Sequence, residues 1–284
     1  MTQLKPLEPD PSAPNPQAAG IDLDFDEFPY WLVGMLLIIA AMVFAVVASD
    51  TYQDAFAAIL PGLTLTLVTT AVSFVIALAL GLVIGLGRMY RYEGSNHLLR
   101  LVSIAIRNLC TLYIELVRGI PFIVFIFIVA FVFTRDIAEL IDLPTRQIRA
   151  AWRGSAALAL FYAAFIAEVI RAGVQSVSHG QREAGRAVGL KNRQVLRFII
   201  LPQAIRNTLP ALGNDLIALM KDTALLSILA VRELTQLAGI YVGASFRVRE
   251  GYFVLTIFYI VLTLLLSLLL RWYERRIQIP GQIR

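Results

Sequence analysis

Three pairs or groups of charged residues interrupt segments that are otherwise apolar: Glu115 and Arg118, Glu168 and Arg171, and Asp215 with Lys221 and Asp222. A charge at membrane depth is expensive, so each is a candidate for a transport path or gate. The chemistry they offer is electrostatic: cations and anions poised to meet a charged solute, or each other. Glu168 and Arg171 stand one helical turn apart and can pair, and Arg171, near the end of its run, can instead snorkel to the interface. Asp215 and Asp222 are seven apart and share a helical face. Lining a path and locking helix to helix are both open for each group. Nothing points to catalysis. His97 and His179 lie far apart without metal-ligand spacing, the single Cys110 excludes an internal disulfide or multi-cysteine metal site, and no nucleophile or carboxylate pair stands out. There is no Gly-Lys dipeptide, hence no Walker A loop to hold ATP.

The elements that carry these residues are membrane helices. Hydrophobic residues make up 58% of the chain, above the roughly 45–50% of soluble domains, and mean hydropathy is +0.72. The runs Tyr30–Ser49, Ala55–Gly87, Gly119–Thr134 and Gly251–Leu270 carry no charge, and each is near or above the roughly 17–20 residues that cross hydrocarbon as a helix. Two further helices are expected at Ser155–Gly173 and from about Asn207 to Val231. The run from 55 contains Gly81 and Gly85 at the small-xxx-small spacing that brings helices close. Pro121 is placed to kink a helix that starts along the interface near Leu101. Residues 49–60, 134–153 and 231–251 read as loops.

Residues 1–30 hold six of the twelve prolines and six acidic residues against Lys5 alone, a tail that cannot bury enough surface to fold. An extra transmembrane helix follows at 31–49, then a core over 60–275 and a short tail at 276–284. The segments 88–100, 171–206 and the C-terminus together hold fourteen Lys and Arg, whereas the intervening 49–60, 134–154 and 231–251 hold seven. By the positive-inside rule the first set is cytoplasmic, giving six spans with both termini inside.

The basic stretch 174–206 carries the most specific pattern. Glu183 to Val188 reads as a short helix capped by Gly189, followed by a second short helix from about Lys191 that Pro202 ends. Ala184, Ala187, Val188 and Leu190 then form a small apolar surface ringed by arginines, fit either for a groove on another protein or for anionic lipid. The run Glu183-Ala184-Gly185, three residues, Gly189, nine residues, then Ile199-x-Leu201-Pro202 resembles the EAA loop of ABC importer permeases, with Gly185 where Ala is usual. Around it, Tyr113-Ile-Glu115-Leu-Val-Arg118-Gly119-Ile-Pro121, Ala167-Glu168-Val-Ile-Arg171 and Lys221-Asp222-Thr223-Ala-Leu225 resemble the polar amino-acid branch of that family. Ala172 and Ala224 depart from the usual Gly and Ser.

The resemblance spans about residues 60–275. It implies an all-α, five-helix permease core, pairing with an identical or homologous permease, with a cytoplasmic ATPase pair below and an external solute-binding protein above. ATP and Mg would sit on the partner ATPase, with no cofactor on this chain and membrane lipid but no nucleic acid among its partners. The ATPase-coupling residues it implies are Glu183, Ala184, Gly185, Ala187, Gly189, Leu190, Ile199, Leu201 and Pro202. A stand-alone secondary transporter or channel accounts for the helices and buried charges but not for this loop.

Overall fold

The computed structural model describes residues 30–92, 94–142, 144 and 148–277. The expected tail over 1–30 lies outside them save for Tyr30, as does most of 276–284. The chain divides into two compact units at Ala41/Met42. In the first, the described residues are the opening turns of helix α1 (Tyr30–Val47). The second contains everything that follows: α2 (Asp50–Ile59), α3 (Gly62–Met89), α4 (His97–Gly119), α5 (Phe122–Phe127), α6 (Thr134–Leu140), α7 (Ala150–Gln175), α8 (His179–Ala187), α9 (Asn192–Val195), α10 (Leu201–Asp222), α11 (Leu234–Ser245) and α12 (Val248–Ile277).

Among the described residues, four unbroken helical stretches are long and apolar enough to cross a membrane, and two bent pairs raise the number to six if each is one span. Both bends have local causes. At the first, α4 meets the helix from Phe122 to Leu140 at 113°. Pro121 forces the residue before it out of the helical region, and Ile120 accordingly sits at φ −102°, ψ 133°. At the second, of 47°, Ala230 takes a left-handed conformation (φ 56°) and the chain restarts at Glu233. The Glu233 carboxylate accepts the backbone N–H groups of Thr235 and Gln236 at 2.8 and 2.7 Å, capping α11.

Three segments expected to be loops are wholly or partly helical: α2 within 49–60, α6 within 134–153 and α11 within 231–251. Their charges sit on one side or at the ends and so do not prevent a helix. Asp50 and Asp54 leave Ala55 and Ile59 free to bury against Val254 and Phe258 of α12, while the stretch from Leu234 to Phe246 is free of charge.

The core is organised around α7, whose Ala157, Leu158, Ala164, Ile166 and Ala167 are fully buried. Helix α3 packs against it through Gly81 and Gly85. A Cβ on Gly81 would lie 2.6 Å from Ile166 Cγ2, and one on Gly85 would lie 2.9 Å from the Ala167 carbonyl oxygen. Small residues thus let two backbones meet where lipid offers no hydrophobic drive. Ser73 reinforces the contact by donating to the Ser155 carbonyl at 3.1 Å. The outward face of α3 is apolar, with Val75 and Val83 65% and 69% exposed, a surface matched to hydrocarbon.

Replacing Gly85 by Val should drive a side chain into the α7 main chain and destabilise the bundle by about 1–3 kcal/mol. Thermal unfolding of the detergent-solubilised protein should show a lower midpoint for Gly85→Val, while Gly243→Val, where a Cβ meets nothing within 4 Å, serves as the control. Equal midpoints would contradict the close approach.

Candidate functional site: an elbow joined to a rod, and the charges behind it

Helix α8 ends in a complete Schellman motif. Leu190 N–H donates to the Gly185 carbonyl at 3.1 Å and Gly189 N–H to the Arg186 carbonyl at 2.9 Å. The motif requires a left-handed residue after the cap, and Gly189 supplies it at φ +83°. The chain restarts at once. Gln194 Oε1 accepts the Lys191 backbone N–H at 2.8 Å, and Arg186 Nε donates across the turn to Asn192 Oδ1 at 3.1 Å.

The two arms pack on a small core of Val177, Val195, Ile200 and Ala204, with Leu190 and Ile199 at its edge. Gly185 is buried in the crease: a Cβ there would lie 2.6 Å from Ile199 Cδ1 and 3.1 Å from Val195 Cγ2. The replacement of the usual Ala therefore matches a close crossing of the arms. Ala184, Ala187 and Val188 point outward, Val188 with 77% exposure. Leu190 does not join them, because its side chain belongs to the core of the elbow. Glu183 is exposed, with its carboxylate 3.1 Å from His179 Nδ1. Leu201 and Pro202 are also exposed, one turn beyond the crease.

Pro202 does not end the second arm. Helix continues from Asn192 through α9, a π-helical segment (Leu196–Ile200) and α10, and then through a 3-10 segment (Thr223–Leu229). The π turn explains the continuity. Leu201 N–H bonds back five residues to the Leu196 carbonyl, and this widened turn absorbs the missing donor and the steric demand of Pro202. The expected start near Asn207 is thus corrected to Asn192. The elbow runs into a single rod about 46 Å long to Asp222, at about 1.5 Å per residue.

The candidate charges fall into two groups. Glu168 on α7 accepts from Arg171 Nε at 3.1 Å and from Arg88 Nη1 at 2.7 Å, and Arg88 also lies 3.6 Å from Glu115. Arg88, at the end of α3, is thus a bridge between three helices, although in sequence it opens the polar segment 88–100. Its only signal was position, as the first charge after the bare run. Glu115 and Arg118 do not pair with each other. Arg118 is exposed and lies over the Phe165 ring, 5.7 Å from its centroid. In the second group, Tyr162 on α7 donates to Asp222 Oδ2 at 2.8 Å and so ties the rod to the core. Asp215 keeps a buried Oδ2 without a hydrogen-bond partner, and Lys221 is exposed, pairing with neither aspartate. Tyr162 was invisible as a site residue because an aromatic in a bare run reads as packing.

A multi-span helical bundle with a paired-helix elbow rigidly joined to one span defines the membrane subunit of a transporter. The chain belongs to the family described as the binding-protein-dependent transport system inner membrane component, which it matches over residues 98–279. It is 32% identical to the glutamine transport system permease protein GlnP of Escherichia coli (strain K12), over 78% of this chain and 93% of that protein. It is 36% identical to the probable glutamine ABC transporter permease protein GlnM of Bacillus subtilis (strain 168), over 59% of this chain and 74% of that one. A solved amino acid ABC transporter crystallised with histidines matches at 34% identity and TM-score 0.66, covering 79% of this chain and 95% of its own. The inward-facing MetNI methionine ABC transporter shares the fold at TM-score 0.62 and 21% identity. The chain is a permease subunit of an ABC importer, a multi-pass protein of the inner membrane, and its family works with ATPase and substrate-binding partners.

Removing the Glu168 charge should leave Arg171 without its ion pair and Arg88 with only the exposed Glu115 at 3.6 Å. Glu168→Gln should lower stability by about 1–3 kcal/mol, and Arg88→Gln on top of it should cost less than in the wild-type background. A double-mutant cycle on thermal unfolding checks this. Strict additivity would mean the bridge carries no energy.

Proposed function

We propose that this permease moves polar amino acids, and that the exposed face of Ala184, Ala187 and Val188 seats in a groove of a separate cytoplasmic ATPase. The carrying observation is the elbow itself. A small apolar face is held at a fixed angle by Gly189 and joined without interruption to the rod that bears Asp215 and Asp222. Closure of the ATPase pair on ATP and Mg moves the elbow, and the rod carries that motion to membrane depth as rigid-body rocking. Two permease chains, identical or homologous, enclose the path. Glu168 and Arg171 on α7, and Asp215 and Asp222 on the rod, line it or gate it.

The names of its relatives support the substrate class: they include permeases for glutamine, arginine and L-cystine. The Lys and Arg distribution supports an orientation with α8 and both termini in the cytoplasm.

Reconstitution tests the reading. Vesicles holding the permease, its ATPase and a loaded binding protein should accumulate an amino acid only with ATP, and the purified permease alone should hydrolyse no ATP above background. Cysteines at Ser178 and Gln282 should both resist an impermeant thiol reagent applied outside intact cells. Uptake by the permease alone, driven by an ion gradient, would contradict the proposal.

A further inference from the structure

A cavity of about 520 Å³ lies where the C-terminal ends of α3 and α7 and the middle of α4 meet α8, and its wall carries five arginines: Arg88, Arg91, Arg107, Arg171 and Arg182. The carboxylates paired with them are Glu168, shared by Arg88 and Arg171, and Glu115, at 3.6 Å from Arg88. Among the described residues, five guanidiniums against two carboxylates leave an excess of three positive charges around one space. The guanidiniums of Arg91 and Arg107 have no hydrogen-bond or ion-pair partner among the described residues. Arg182 donates one Nη2 hydrogen bond to the Val174 carbonyl at 3.0 Å, and its Nε is buried with no partner at all.

Like charges converging on a cavity repel one another, and a buried donor left unsatisfied is costly. A bundle that brings together guanidiniums from four helices and from the segment after α3 therefore invites an anion. The excess suits a group of high charge density with several acceptor oxygens, and the planar fork of Arg matches phosphate oxygens bidentately. Basic pockets between spanning helices are also where phosphate headgroups of anionic lipids are held. We propose that this cavity is a phosphate-binding site, filled by the headgroup of an anionic phospholipid or by a soluble phosphate anion. A bound phosphate would link α8, through Arg182, to α4, through Arg107, and to the segment between α3 and α4, through Arg91, and so brace the elbow against the bundle.

The importer complex, purified in detergent and stripped of lipid, provides the test. Native mass spectrometry should show saturable retention of cardiolipin added in phosphatidylcholine micelles. Arg107→Gln, which removes no recorded contact, should weaken it roughly tenfold, and Arg107→Gln with Arg182→Gln further still. Arg107→Lys should restore part of the loss, and Arg135→Gln, whose exposed side chain pairs with Glu139 elsewhere, should leave retention unchanged. Retention that millimolar inorganic pyrophosphate fails to displace assigns the site to lipid. Stabilisation by pyrophosphate that depends on Arg107, without lipid retention, assigns it to a soluble anion. If neither ligand binds, or both bind equally well to wild type and Arg107→Gln, the proposal is overturned.

Discussion

The turn at Gly189 is the constraint on which the working parts depend. An L side chain held at φ +83° costs about 1–2 kcal/mol, more if β-branched, whereas glycine adopts it freely. Because the turn closes a full Schellman motif, the direction in which the chain leaves α8 follows from two main-chain hydrogen bonds rather than from loose loop preferences. Packing at Gly185 then fixes the separation of the arms, and the π turn before Pro202 fixes the continuity of the second arm with α10. Taken together, these features make the elbow and one membrane span a single mechanical body.

That body meets the rest of the bundle through close packing, Gly173 of α7 lying buried against Ala204 and Thr208 of the rod, and through polar contacts that hydrocarbon makes selective. Tyr162 to Asp222 joins the rod to α7, and Arg88 to Glu168 and Glu115 joins α7 to α3 and α4. Between these, α3 and α7 pack by glycine and alanine with almost no space between backbones. The tight α3–α7 pair suits a scaffold, and the polar contacts at its margins suit joints that exchange partners as the rod moves.

Spans and elbow were legible because each rests on local physics. Bare runs of hydrophobic residues require helices, Pro121 requires a break, and Gly after a short amphipathic stretch requires a left-handed cap. What escaped depends on neighbours. Pro202 reads as a helix stop by every local criterion, and only the π turn, a response to packing in the elbow, keeps the helix intact. Leu190 reads as surface until the second arm folds over it. The amphipathic helix α2 and the charge-flanked α11 look like loops until α12 supplies the surface they bury against. Arg88 and Tyr162 acquire roles through partners on other helices, among them Glu168 and Asp222, 80 and 60 positions away.

Coupling through the elbow is tested most directly by ATPase stimulation in vesicles holding the permease with valine in place of Gly189, its ATPase and the loaded binding protein. With Gly189→Val the arms leave at the wrong angle while the membrane spans remain intact. The substituted permease should insert and be recovered from the membrane, yet uptake should stop, with the ATPase either lost from the complex or indifferent to the binding protein. Full stimulation together with normal uptake would show that the elbow is a passive linker and that force reaches the rod by another route.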